Sequence, residues 1–323
     1  MAREHPLNLD LPQAEAALPS AVSGPIVSRG ARGQAELTPL AKPQSQVGMT
    51  WRRLRRDRFA LLGGVIILFT IFLAVAAPIV SPHDPIAQNS KVRLAPIGTD
   101  GHLLGTDGNG RDILSRLIYG SRIALLVATV PVLVAAGVGL IMGLIAGYVG
   151  GWVDTLFMRL ADILFAFPAI LLAIAIVAAL GPKLINAMMS LAIVFIPAFA
   201  RLARVSVLSL RERDFVLAAR AAGAGTGRIV TRHILVNAVS TIVVFATLQT
   251  GQMIIFASAL SFLGLGVQPP TPDWGAMAND GRNSMLVAPW VTTLPGIAIL
   301  FVSIGFNLLG DGLRDALDPT LKT

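Results

Sequence analysis

The chain has 323 residues, of which 54% are hydrophobic and 14% charged, with a formal net charge of +8. Soluble domains carry charge on about a quarter of their residues, so this composition excludes an ordinary water-soluble globule and points to an integral membrane protein. The absence of cysteine excludes disulfides, a thiolate nucleophile and cysteine-ligated metal.

Residues 1–48, rich in Ala, Pro, Ser, Gly and Gln, hold no periodic apolar face and read as a disordered cytoplasmic tail ahead of a transmembrane domain over 49–323. From Thr50 to Arg58 a basic cluster with Trp51 and Leu54 fits a short helix at the headgroup level. The first apolar run, about 59–80, is longer than the 7–15 residues of a signal-peptide core and reads as a membrane span. Further spans are expected at about 123–148, 162–180, 187–202, 236–260 and 291–309, giving an all-α fold of six transmembrane helices. The fifth and sixth carry the polar residues Gln249, Gln252 and Asn307, which are costly against lipid. They are expected to face either a water-filled path or a neighbouring helix.

Positive charge fixes the orientation, because loops rich in Lys and Arg stay in the cytoplasm. Arg52, Arg53, Arg55, Arg56 and Arg58 precede the first span, and Arg201, Arg204, Arg211, Arg213, Arg220, Arg228 and Arg232 cluster between the fourth and fifth. Both segments are assigned to the cytoplasm, with both termini inside. Topology and anionic lipid then account for the basic excess, and nucleic acid is not needed to explain it.

The loop after the first span contains the turn-rich stretch from Gly105 to Asp112. It has the opening of a calcium loop in Asp107 and Asn109, but Arg111 occupies the next ligand position, so ordered turns are expected instead. His83, His102 and His233 lie in loops without metal-site spacing. In the loop before the sixth span, Trp274 and Trp290 suit the membrane interface. Asp162, beside Arg159, reads as half of an interfacial ion pair.

Between the fourth and fifth spans, about 203–235, lies a basic, alanine-rich segment too polar to cross. From Asp214 to Gly223 it predicts a short helix, with Asp214 as N-cap, Gly223 as stop, and Phe215, Ala218 and Ala222 on one face. Small side chains on such a face let another protein approach closely, and an interfacial helix without a partner fits equally well. The following Gly223–Arg228 stretch lacks the Lys-Ser/Thr of a phosphate-binding loop and follows a helix, so nucleotide binding is rejected.

The segment from Leu217 to Asn237 resembles the cytoplasmic "EAA" loop of binding-protein-dependent ABC importer permeases, whose pattern is Glu-Ala-Ala, three residues, Gly, then Ile-Leu-Pro. Ala218, Ala219, Gly223, Ile234 and Leu235 match, whereas Leu217 stands in place of Glu and Val236 in place of Pro. Leu104-Gly105-Thr106-Asp107 with Gly110-Arg111-Asp112, Phe167-Pro168, Ser261-Phe262-Leu263-Gly264 and Gly310-Asp311-Gly312 with Asp318-Pro319 are similar to the dipeptide, oligopeptide and nickel branch, "C" subunit. The resemblance implies a type I importer permease fold in a prokaryotic inner membrane, with no cofactor or metal of its own. It implies four kinds of association: a second permease subunit in a heterodimer, two cytoplasmic ATPases carrying ATP and Mg, an extracytoplasmic solute-binding protein, and membrane lipid.

By the same resemblance the coupling helix and EAA loop fall on Asp214, Phe215, Leu217, Ala218, Ala219, Arg220 and Gly223. Loops carrying Asp107, Arg111, Asp112 and Trp274 become candidates for contact with the binding protein, and Gln249, Gln252 and Asn307 for the translocation path. Di- or oligopeptides are the expected solute, with nickel or another small solute as the alternative. A secondary transporter is the rival class; it calls for intramembrane carboxylates, and Asp162 is the sole candidate within the expected spans.

Overall fold

The computed structural model describes residue 48 and residues 52–317; the expected tail, Trp51 and the Asp318-Pro319 motif lie outside the described residues. The described residues are largely helical, and among them only the isolated bridges Thr99–His102 and Thr106–Asp112 have strand character. Asp57 opens helix α1, Arg58–Val80, by accepting hydrogen bonds from the backbone of Phe59 and Ala60. A loop leads to α2, Ile113–Val149, whose first turn is capped by Asp112.

Helix α2 begins ten residues before the expected second span, because the polar side chains of its first turns find partners inside the protein. Ser115 hydroxyl donates to Asp112 Oδ2 (2.7 Å), and Arg122 Nε donates to the carbonyl of Ala74 on α1. Hydropathy alone reads these residues as loop.

The third apolar run is not a straight span. It forms α3, Gly151–Phe165, and α4, Ala169–Leu180, with an 89° bend between them. Pro168 at the break has no N–H to donate, and it disfavours helical geometry at Phe167. Helix α5, Leu184–Arg211, leads into the short α6, Asp214–Ala221. Then come α7, Thr226–Phe262, with a π-helical turn at Val230–Ile234, the short α8, Trp274–Asp280, and α9, Trp290–Leu317. Among the described residues, five helices are long and apolar enough to cross a membrane, and the bent α3–α4 pair is a sixth when taken together.

Side-chain registers give the helix directions. A Cβ on Gly139 would meet Phe199, one on Gly143 Ala203, and one on Gly147 Val207, so α2 and α5 run parallel. Gly63 meets Leu309 and Gly312 meets Ala60, so α1 and α9 run antiparallel; Gly251 against Asn307 and Gly310 against Leu248 set α7 antiparallel to α9. The loops 81–112 and 263–289 therefore lie at one end of the bundle, and α6 with the end of α9 at the other.

Helices in lipid gain little from burying apolar groups against each other, so close backbone approach carries the packing. Around the glycine seam Phe199 stacks edge-on against Phe245 (5.0 Å) and Phe195 against Phe256 (5.5 Å), joining α5 to α7. The outer faces remain apolar, as at Phe59, Leu68, Phe72 and Ile79 on α1.

At Gly143 an added Cβ would sit 2.5 Å from both the Ala200 carbonyl and the Ala203 methyl, whereas one at Gly137 on the same helix meets nothing within 4 Å. Gly143→Ala is expected to cost about 1–3 kcal/mol as overpacking, and Gly137→Ala to be neutral or stabilising. Thermal unfolding of the two variants in the same detergent checks this.

Candidate functional site: an exposed helix, a cleft and a polar cap

Helix α6 is joined to α5 by Glu212 and Arg213. Its N-cap is Arg213, without a side-chain cap bond; Asp214, expected in that role, lies inside the first turn, where its charge favours the positive end of the helix. Gly223 has a φ of +81°, which non-glycine residues rarely adopt. Its N–H donates to Arg220 (3.0 Å) while Ala224 N–H donates to Ala219 (3.0 Å), closing the helix with a Schellman pair.

One side of α6 is anchored. Val216 is fully buried with Val207 of α5 and with Ile229 and Ile234 of α7. The π turn at Val230–Ile234 lets Ile229 and Ile234 both reach this cluster while holding His233 beside the Phe215 ring (6.3 Å). Phe215, Leu217, Ala218, Arg220 and Ala222 are exposed, with Ala219 between the two sides. The result is a rigidly held helix that presents two large apolar side chains, small residues and a cation to whatever lies beneath the bundle.

A cleft of about 620 Å³ opens between α5, α7 and α9, lined among others by Leu202, Thr241, Phe245, Leu248 and Arg314. Thr241, Phe245, Leu248 and Gln252 recur at spacings of four, three and four residues, so exposed Gln252 continues the α7 face that lines the cleft. Gln249 lies half-buried beside that stripe. Asn307 packs its side-chain oxygen against Gly251, where Ser303 hydroxyl also donates to the Gly251 carbonyl (2.9 Å). Among the described residues, none of the side chains of Gln249, Gln252 and Asn307 makes a hydrogen bond.

At the opposite end, the candidate contact residues of the loops turn inward. Asp107, Arg111, Asp112 and Trp274 are all buried. Asp107 accepts from Arg111 Nε (2.6 Å) and from the N–H groups of Asn109 and Arg111, while Arg111 Nη2 reaches Asp280 (2.9 Å). With its lone pairs engaged and arginine beside it, Asp107 is a turn-former and not a calcium ligand. Arg116 Nε lies 3.7 Å from the same carboxylate. Trp274, expected at the lipid interface, instead packs over Gly120 and donates from Nε1 to the Leu117 carbonyl (3.0 Å). These side chains shape the loops and are not themselves a contact surface.

Two further groupings escaped the sequence reading. Asp162 pairs with Arg201 (2.8 Å) across to α5, not with Arg159, and Asp154 forms a two-pronged pair with Arg204, with Nη2 at 2.6 Å from Oδ2. The bend after α3 produces both, and bends are silent in hydropathy. His83 and His102 converge on Asp112 although they precede it by 29 and 10 residues, a spacing that announces nothing.

Comparison with known proteins finds relatives over most of the chain. Residues 139–323 match the family described as binding-protein-dependent transport system inner membrane component, and residues 45–96 match the N-terminal membrane domain of oligopeptide transport permease C. A dipeptide transport system permease protein of Alkalihalophilus pseudofirmus is 47% identical over 273 residues, covering 84% of this chain and 90% of that one. A glutathione transport system permease protein of Pectobacterium atrosepticum is 47% identical over 84% of this chain and 91% of its own length. Its namesake from Escherichia coli is 46% identical over 90% of this chain and 98% of its own length.

Within the loop cap, Asp273 accepts from Ala276 N–H (2.9 Å) to start α8, and burial pushes its carboxyl above the usual carboxylate range. The folded chain therefore binds a proton there more tightly than the unfolded chain does, so this group's contribution to stability falls as pH rises from the ordinary carboxylate value. Asp273→Asn keeps the cap and removes the charge. The variant is expected to melt higher than the parent near neutral pH, the gap closing toward pH ~4; melting curves across pH test it.

Proposed function

The chain belongs to the family of binding-protein-dependent transport system inner membrane components, and on that footing we propose that it is one of two channel-forming permeases of an ATP-driven peptide importer. It is a multi-pass inner-membrane protein and a transport subunit. Hydrolysis of ATP with Mg belongs to two separate cytoplasmic ATPase subunits, and an extracytoplasmic binding protein delivers the solute. Both termini and α6 face the cytoplasm, in keeping with the arginine-rich segments at that end.

The observation that carries this reading is α6: a short capped helix, fixed to α5 and α7 through Val216 and exposing Phe215 and Leu217. Closure of the ATPases on ATP has to move the spans. A helix wedged against two of them passes that displacement on where a flexible loop would absorb it. Leu217, in the place of the family Glu, supplies apolar contact, so docking here rests on Phe215 and Leu217 with Arg220 as the charged partner. Gln252, on the face that continues the cleft, and Gln249 beside it line the path; the second permease closes its open side.

The solute is a di- or oligopeptide. Relatives named for dipeptide and for glutathione both handle short peptides, and the long identity over both spans and loops supports the same class here. A secondary transporter needs a carboxylate free to take a coupling ion. Asp154 and Asp162 are each held by an arginine instead.

Gly223→Pro removes the N–H that closes α6 and excludes the φ of +81°. The variant is expected to insert in the membrane but to lose ATPase co-purification and uptake; normal uptake would count against coupling through α6. In liposomes, peptide uptake should need the second permease, both ATPases, the binding protein and ATP together. Uptake by this chain alone would refute the importer reading.

A further inference from the structure

We propose that His83, His102 and Asp112 form a binding site for a borderline divalent transition-metal ion of the zinc class, at the head of α2. Each residue offers one ligand atom, and these atoms all lie within 4.8 Å of one another. His102 Nδ1 is 2.9 Å from Asp112 Oδ1 and His83 Nδ1 is 3.9 Å from the same oxygen. Ligand bonds of about 2.0–2.1 Å in a tetrahedron separate the ligand atoms by about 3.3 Å. The two observed separations bracket that value and the two imidazole ligand atoms lie within 4.8 Å of each other, so closing the site calls for a small ring shift. The His83 side chain is 40% exposed and free to make it.

The surroundings hold the donors in place. Asp112 is almost fully buried, and its Oδ2 is occupied by Ser115 N–H (2.8 Å) and Ser115 hydroxyl (2.7 Å), which turns Oδ1 toward the two imidazoles. The same Ser115 oxygen accepts the His83 backbone N–H (3.0 Å), and Ser81 hydroxyl donates to the His83 carbonyl (2.8 Å). A serine that orients a ligating carboxylate while anchoring the backbone of a ligating histidine is the kind of outer support that metal sites use. The imidazole rings stack at 4.7 Å, 29° apart, with His102 Nδ1 2.9 Å and His83 Nδ1 3.9 Å from the one oxygen.

Two imidazoles and one carboxylate suit zinc and its neighbours; calcium and magnesium prefer oxygen donors throughout. His83 also borders an open cleft lined by Pro82, Asp84 and Tyr119, which leaves the fourth position to water. The ion would tie three points that are distant in sequence: the exit of α1, the turn at Thr99–His102 and the cap of α2. It would thereby stiffen the loop end of the bundle. This site is independent of the transport reading, and its test uses no transport measurement.

The test uses the assembled complex in detergent, purified without a histidine tag and stripped by a chelator. Zn²⁺ is titrated against a competing chromophoric chelator, and bound zinc is counted by elemental analysis. The expected result is one zinc equivalent per copy of this chain that the His83→Ala/His102→Ala double variant lacks. Ser115→Ala is expected to weaken binding by about 10-fold. Asp112→Asn retains a good N-cap while removing the anionic donor, and is expected to weaken it by at least about 100-fold. Zinc should also raise the melting temperature of the parent complex and not that of the double variant. Equal zinc content and affinity in parent and double variant, or no zinc-dependent shift in the parent, would overturn the site and leave a hydrogen-bonded cap.

Discussion

The seam where α2 meets α5 is the contact on which the rest of the bundle depends. Gly139, Gly143 and Gly147 bring the α2 backbone against Phe199, Ala200, Ala203 and Val207 of α5 with no room for a side chain between. In lipid there is little hydrophobic gain in joining two helices, so the attraction comes from dispersion between closely spaced atoms. Once α5 is fixed in this way, its C-terminal turn fixes Val207, and Val207 fixes α6 through Val216. The exposed helix is thus referred, through a few packed contacts, to the middle of the membrane domain.

Polar groups follow a second constraint. At the loop end Asp107, Arg111, Asp112 and Arg116 are withdrawn from water, which is costly unless each finds a partner. They find one another, Asp280 and the backbone, so the loops form a cap with a defined shape. Arg111 and Arg116 of this end are therefore spent inside the protein while Arg93 and Arg282 remain exposed, and around α6 Arg213, Arg220, Arg228 and Arg232 all stand exposed. The asymmetry in usable positive charge between the two ends is sharper than a count of Lys and Arg suggests.

What the sequence made legible was what depends on local pattern. Each long apolar run coincides with helix, and the short α6 with its glycine stop was readable from Asp214 to Gly223 because a C-terminal αL residue is a local demand. What escaped depends on distant neighbours. The first turns of α2 were missed because their polar residues are helical only with Ala74, Pro85 and Asp112 as partners. The elbow at Pro168 was missed because a run of apolar residues scores alike whether straight or bent. Trp274 suits the membrane interface by residue type alone, because nothing near it in sequence reveals Gly120, whose missing side chain makes its berth. The convergence of His83, His102 and Asp112 was invisible for the same reason.

The π turn at Val230–Ile234 has a consequence for how such a chain can be tuned. A residue inserted into an α-helix rotates everything beyond it by about 100°, and a π turn is the trace of one such insertion accommodated in place. Here it stands between the stripe of α7 that includes Gln252 and the segment that supports α6. It acts as a phase offset between two halves of one helix. The angular position of the exposed face of α6 and that of the cleft-lining stripe are set separately, so each can drift without turning the other.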